Sequence, residues 1–426
     1  MKILLHPKDH PWKTQSGYGI AGMYMTHYLI DKHEVAVLAS VGNMFSLDYV
    51  DDTKSNGDPV RISVYPGAGD QYGEDIVGYH YDDFKAEILL QMADAWILNP
   101  DKIPKLARSG KIHWILIPPI DFLDPIPKRV IETLSAAFKV VPWCRDAYDR
   151  LLAHGLTNVM EPIPLGINTG LWQPLDRYKF PKTMEAMGFT YDSFNILMVN
   201  ANQFFRKAWA ESLEGVAIFK HRNPDAKIRL YLHTPSNSPD GWNMVELAET
   251  SGLADITRGL DTYHFVTGRY DEEELVKMFN MADVCVNCGL EGFGYASLQA
   301  QAVGVPVIGL NAGPTPEIVK YGVLVKPAAI IRTPSLQTNA FPSPLDIADA
   351  LQMLYDNPGG KFAKQRDETI EWVKQTFSWE VIMKKWFEHL DRIEEELDRA
   401  CVLRSRYPPK PSNRSLELAQ QVKVLE

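Results

Sequence analysis

Three segments combine residue types and spacings that could do chemistry. Gly17-Tyr-Gly-Ile-Ala-Gly22 matches G-x-G-x-x-G. In a dinucleotide site that pattern turns a strand into a helix and lets bare amides face a pyrophosphate. Here Pro7 to Ser16 intervene between the first apolar run and Gly17, and the next run ends Leu38-Ala-Ser-Val41 without a carboxylate to grip a ribose. Both departures argue against a nicotinamide cofactor. What remains is a glycine-rich helix start at which Gly17 and Gly19 can face an anion, or glycines that permit close helix–sheet packing.

The second segment is Asn200-Ala-Asn-Gln-Phe-Phe-Arg-Lys207, between an apolar run and a helical stretch beginning near Arg206. The helix macrodipole disfavours cations at that end. The conflict is relieved if Arg206 and Lys207 reach an external anion such as a diphosphate; the alternative is a solvated basic pair. The third segment runs from Cys288-Gly-Leu-Glu-Gly-Phe-Gly-Tyr-Ala-Ser-Leu-Gln299 to Gly304-Val-Pro-Val-Ile308. It reads as a strand end, a glycine loop, a short helix from about Ala296, and a new strand. Gly292 and Gly294 let amides approach a ligand. Glu291 then projects from the carboxyl end of a strand, where open α/β sheets place their ligands.

These segments need a scaffold, and the chain is long enough for one. At about 150 residues per domain, 426 residues make two or three domains. With 45% hydrophobic and 23% charged residues, it is an ordinary globular chain. Its 44 Lys+Arg against 54 Asp+Glu give a net charge of −10, which argues against stable nucleic-acid binding. Cys144, Cys285, Cys288 and Cys401 are too scattered for a disulfide framework. The C-x-x-C at 285 and 288 falls in a strand, where a spacing of three puts the side chains on opposite faces. No run approaches the roughly 18 apolar residues of a membrane span, and no signal peptide is evident. The expectation is a soluble, cytoplasmic protein.

Apolar runs at Lys2–His6, Glu34–Ser40, Arg61–Tyr65, Ala95–Leu98, Trp114–Ile117, Phe138–Pro142 and Asn158–Ile163 read as strands. Helical spacing occupies Gly19–Ile30, Asp83–Met92, Pro127–Ala136 and Arg145–His154. Leu165–Asp192 reads as a linker. A second series follows, with strands expected at Asn195–Asn200, Ile228–His233, Tyr263–Thr267, Val284–Asn287, Pro306–Leu310 and Val323–Val325. Strands separated by helices predict parallel sheets covered on both faces. Ile330–Pro344 reads as a loop, and the basic, proline-rich stretch from Arg404 to Arg414 as an extended strap.

Glu291-Gly-Phe-Gly through Gly304-x-Pro-Val-Ile resembles the donor-binding signature of the GT4 family, retaining nucleotide-sugar glycosyltransferases of GT-B fold. Further resemblance lies in Pro164-Leu-Gly-Ile-Asn-Thr169, Tyr270-Asp-Glu-Glu-Glu-Leu275 with Met281-Ala-Asp283, Gly313-Pro-Thr-Pro-Glu-Ile-Val319, and Phe377-Ser-Trp-Glu380. In Gly313-Pro-Thr-Pro-Glu-Ile-Val319, Thr315 is expected as N-cap and Pro316 as N1.

The resemblance implies an α/β chain of two Rossmann-like, doubly wound domains facing a central cleft. Residues 1–170 would form the acceptor-side domain and 171–378 the nucleotide-sugar domain. Residues 379–426 would be a helix returning to the first domain, plus the tail. It also implies transfer of a hexose from a UDP- or GDP-sugar, with retention at the anomeric carbon. The nucleotide sugar is a co-substrate, and neither a cofactor nor a metal is expected; no Asp-x-Asp occurs in the chain.

Carried over by position, Glu291 faces the donor sugar, while Lys207 with Arg206 neutralises the diphosphate. Asn202, Gly292, Phe293, Gly294, Tyr295 and Ala296 line the donor, with Thr267, Gly268 and Arg269 towards the base and Gly17 and Gly19 opposite. Two positions depart from the family: Gln299 stands where a glutamate holds the ribose, and Ala201 where an arginine holds phosphate. An amide oxygen can still accept from a ribose hydroxyl, through a weaker bond than a carboxylate makes. The family's first-domain histidine has no clear counterpart in Ile117-Pro-Pro-Ile-Asp121; Asp121 could substitute and is not counted among the site residues. Two other readings remain open: a sugar epimerase on the same fold, and a catalytically weak nucleotide-sugar binder. The acceptor and the oligomeric state are not legible.

Overall fold

A computed structural model of the chain describes residues 1–13, 16–357 and 361–406. Of the described residues, those up to 383 form one compact unit and those from 384 to 406 fall in a second. The larger unit holds two sheets. In the first lobe, β1 (Lys2–Asp9), β2 (Glu34–Met44), β3 (Asp48–Thr53), β4 (Pro59–Gly67), β5 (Ile88–Met92), β6 (Trp114–Ile117) and β7 (Lys139–Val140) are ordered β3-β4-β2-β1-β5-β6-β7. All neighbours are parallel except β3, which is antiparallel to β4. In the second lobe, β8 (Phe194–Val199), β9 (Ile228–His233), β10 (Thr257–Gly259), β11 (Val284–Asn287), β12 (Val307–Leu310) and β13 (Gly322–Val325) form a wholly parallel sheet, β10-β9-β8-β11-β12-β13.

Strands buried on both faces favour apolar side chains at nearly every position. Ile88–Met92 and Trp114–Ile117 are buried throughout, as are Val284–Asn287 and Val307–Leu310. In both sheets the strand order reverses beside the first strand of the lobe. That reversal opens a crevice at the carboxyl ends, the usual ligand position in such sheets.

Several expected elements are corrected. The strand read at Ala95–Leu98 is β5, at Ile88–Met92, and the helix ahead of it is Val77–Phe84 rather than 83–92. Residues 158–163 contribute only an isolated bridge, Val140 to Val159. Residues 262–266 are a helix, and the edge strand is Thr257–Gly259. Ile330–Pro344 contains a hairpin, β14 (Pro327–Arg332) with β15 (Thr338–Pro342), whose second strand is buried throughout. Thr315 is the first helical residue and its side chain caps nothing, because Pro314 occupies the N-cap. The long helix Trp379–Arg406 begins in the larger unit. The part of the basic, proline-rich strap beyond residue 406 lies outside the described residues. Among the described residues no helix is long and apolar enough to cross a membrane.

The two lobes meet closely. Trp379 stacks on Tyr24 with ring centroids 5.3 Å apart, and Tyr28 donates to Glu380. A Cβ on Gly166 would lie 2.4 Å from the Trp379 ring, so only glycine lets the chain pass between the lobes there. Glu317 of the second lobe accepts from the Arg145 and Asp146 amides, at 2.8 and 2.7 Å, capping the helix Arg145–Ala153 of the first. A carboxylate at that end also suits the macrodipole.

Candidate active site

The candidate site is built from loops at the carboxyl ends of β5, β6, β8 and β11. After β8 the chain turns at Asn200 and makes a short 3-10 turn, Phe205–Lys207, before the helix Trp209–Arg222. The helix therefore begins after the two cations instead of at Arg206. Phe205 and Ala208, on either side of them, have φ of 24° and 48°. Left-handed conformations at non-glycine residues are strained and persist where the surroundings impose them. They aim Lys207 inward, where it is buried.

Lys207 Nζ donates to both oxygens of Glu291, at 2.8 and 2.7 Å. Asn200 donates to Glu291 Oε1 at 3.2 Å and to Asn287 at 2.8 Å, and Asn287 donates to Ser297. Arg206 reaches Asp121 of the first lobe at 3.1 Å and Glu291 at 3.6 Å. The sequence suggested an external anion as the partner of these cations; here their partners are the protein's own carboxylates, one from each lobe. A lysine has three donors, so Glu291 leaves one free on Lys207.

The electrostatics are uneven. Burial pushes the Glu291 carboxyl up, but Lys207, Arg206 and the hydrogen bonds from Lys207 and Asn200 outweigh it and hold it below its ordinary value. Burial, reinforced by Arg206, pulls Lys207 down to about 8 despite Glu291. At neutral pH both groups are charged, and Lys207 lies closer to losing its charge. For Arg206, burial works against the charge while Asp121, Glu291 and Asp94 favour it, and the net shift is upward.

The glycine loop lies under this pair. A Cβ on Gly292 would be 2.5 Å from Pro119 Cβ, so glycine is required where the lobes touch. Gly294 has φ 95° and is the N-cap of the helix Tyr295–Ala302, with no side-chain cap. Bare amides at such a start are an anion site. Phe293 is buried 6.3 Å from the Trp143 ring, and Tyr295 donates to the Gly166 carbonyl at 2.7 Å. Ala296 follows in the first turn. Gln299, one helix turn on, is buried, and its amide has no hydrogen-bond partner among the described residues.

Other sequence candidates lie elsewhere. Asn202 spends its amide on the Pro235 and Trp242 carbonyls and accepts from the Trp242 amide, holding the neighbouring loop. Thr267, Gly268 and Arg269 are exposed, with Arg269 on His264 at 2.9 Å, and none bonds to the Glu291–Lys207 pair. The Gly19 amide is taken by Ser16, the N-cap of its helix. Gly17 has open space around it, whereas Gly22 packs against Pro7, at 2.6 Å from a built Cβ. Asp94, Tyr18, Asn200 and Asp121 also stand at this site, and no sequence motif marks them. Their common signal is a polar residue just beyond a strand's carboxyl end or on the first helix turn.

Comparison with known proteins adds a family segment and a fold. Residues 251–340 match the family Glycosyl transferases group 1. A D-inositol 3-phosphate glycosyltransferase of Paenarthrobacter aurescens is 28% identical over 262 residues, 58% of each chain. One from Streptomyces griseus is 33% identical over 26% of this chain and 23% of its own. The chain thus spans little more than half the length of the first of these relatives. Sucrose-phosphate synthase from Thermosynechococcus elongatus superposes over 93% of this chain and 100% of its own, with TM-score 0.67 and 15% identity. Anabaena HepE in complex with UDP-glucose covers 92% of this chain and 100% of its own, with TM-score 0.66 and 12% identity. Residues 251–340 are thus a group 1 glycosyltransferase segment, the chain is similar to inositol-phosphate glycosyltransferases over part of its length, and its two-lobed fold is GT-B.

Proposed function

We propose that the chain transfers a hexose from a UDP- or GDP-sugar to an acceptor hydroxyl, retaining the anomeric configuration, without a metal ion and in the cytoplasm. One observation carries the reading. A buried Lys–Glu pair lies beside an uncapped helix start, at the carboxyl ends of two central parallel strands. Glu291 would accept from hydroxyls of the donor sugar. The remaining Lys207 donor, Arg206 and the amides at Tyr295 and Ala296 would take the charge that develops on the leaving diphosphate. Gln299, buried and unpaired, would accept from a ribose hydroxyl. The relatives' names support glycosyl transfer, and the neighbour that holds UDP-glucose supports a nucleotide-sugar donor. Closely packed lobes would exclude water from a donor prone to hydrolysis.

A second reading, a nucleotide-sugar binder with little turnover, is favoured by Gln299 and Ala201 standing where the family carries charged residues. A panel of UDP- and GDP-hexoses, followed by mass detection of released nucleoside diphosphate, separates the two. The expected result is release from at least one donor, undiminished by EDTA. Binding without release would establish the second reading, and release that EDTA abolishes would contradict the metal-free mechanism.

A further inference from the structure

The proposed donor chemistry needs Arg206 for a diphosphate, yet every nitrogen of its guanidinium already faces a protein acceptor. Nε lies 3.1 Å from Asp121 Oδ2, Nη1 donates to the Leu290 carbonyl at 3.3 Å, and Nη2 donates to Gln203 at 3.0 Å. Glu291 adds a contact at 3.6 Å. An arginine has donors only on these nitrogens, so an incoming anion can take the cation only by displacing a partner.

Which partner gives way follows from how each is held. Glu291 accepts two hydrogen bonds from Lys207 and one from Asn200, all within its own lobe. Leu290 is tied by its backbone, because its amide also donates to the Arg206 carbonyl at 2.9 Å. Asp121 comes from the other lobe and is 5% exposed. Its contact with Arg206 is an ion pair without hydrogen-bond alignment, and among the described residues no other donor reaches its carboxylate. A buried carboxylate held this way has given up its hydration for little return. The backbone beside it is fixed. Arg150 donates to the Phe122 carbonyl at 2.8 Å, and the Leu123 amide donates to the Thr338 carbonyl at 2.7 Å. Release therefore falls to the Asp121 side chain.

The charges agree. Arg206 and Lys207 face Asp121, Glu291 and Asp94, and Tyr18 donates to Asp94 at 3.0 Å. Burial and Asp121 push the Asp94 carboxyl up to about 6, while Arg206, Tyr18 and Lys8 pull the other way, so it is largely ionised at pH 7. Lys8 itself lies 4.0 Å from Asp9. Two cations matched by three carboxylates leave no surplus for a diphosphate. Withdrawing Asp121 uncovers Arg206 and removes one negative charge from the path of the anion.

We propose that Asp121 occupies, on Arg206, the place that the donor diphosphate takes, so that the ligand-free site is blocked by its own carboxylate and the two compete. This rests on the glycosyl-transfer reading and adds to it a first-lobe control on donor entry.

The test is calorimetric titration of UDP, GDP and their nucleosides into the full chain at pH 7, with thermal melts as a folding control. Asp121→Asn keeps the shape and removes the charge. It should tighten the diphosphate at least fivefold and change nucleoside affinity less than twofold. Asp94→Asn removes a carboxylate that has no ion pair with Arg206, and it should gain less than twofold. The proposal is overturned if Asp121→Asn binds the diphosphate no more tightly than the wild type, which would make Asp121 a support for Arg206. It is also overturned if Asp94→Asn gains as much, which would reduce the effect to net charge. Diphosphate binding by Asp121→Asn alone, with none by the wild type, is the expected result in its strongest form. If neither UDP nor GDP binds to either protein, the glycosyl-transfer reading itself fails, and the proposal with it.

Discussion

Lys207→Met should destabilise the protein by about 3–5 kcal/mol, the usual cost of removing one partner of a buried ion pair. Methionine nearly fills the volume, so the loss reports on charge more than on packing. Arg206 remains 3.6 Å from Glu291, and Asn200 still donates to it, which places the expected value at the lower end. The pH dependence should also change sign. In the wild type, Glu291 is held below its ordinary value, so its contribution is present above the unfolded-state pKa and lost as pH falls through the folded one. Without Lys207, burial dominates and raises the folded pKa above the unfolded one. Stability is then kept at low pH and lost as pH rises through the raised value. Urea unfolding of both proteins between pH 4.5 and 8 reads this out. Parallel pH profiles, or a loss well under 1 kcal/mol, would mean that the pair is not buried in solution.

The second large effect is on turnover. Glu291→Gln should lower donor turnover about ten- to hundredfold, the equivalent of one hydrogen bond to a charged group. The same change strips Lys207 of its carboxylate while leaving Arg206 beside it, so the lysine pKa drops further below about 8. The assay therefore belongs at pH 6, where Lys207 should still carry charge. There, nucleoside diphosphate affinity should change less than about threefold, a few tenths of a kcal/mol. A collapse of nucleotide affinity with normal turnover of bound donor would reverse the roles given to Glu291 and Lys207.

The second lobe was largely legible from sequence because its strands are short apolar runs and its glycine loop has steric reasons. Gly292 admits Pro119, and Gly294 takes a left-handed φ. The first lobe was less so. Ile88–Met92 continues a helix-like spacing, so its strand was displaced onto Ala95–Leu98. Thr338–Pro342 opens on two polar residues and ends in proline, which hides a strand that tertiary packing buries throughout. The site's charge partners were not legible at all. Lys207 meets a carboxylate 84 positions away, and Arg206 meets Asp121 only because the lobes close on each other. Local sequence showed two cations and an excess of acids; only the fold says which acid each cation meets.

Direct titration of UDP, GDP and the corresponding nucleosides into the protein by calorimetry, from pH 6 to 9.5, tests the central claim that this site holds a nucleoside diphosphate on Lys207. One diphosphate should bind at least tenfold more tightly than its nucleoside, about 1.4 kcal/mol or more. That advantage should decline as pH rises through about 8, where Lys207 loses its proton. A diphosphate that binds no better than its nucleoside, or an advantage that is flat across this range and unchanged by Lys207→Met, would contradict it.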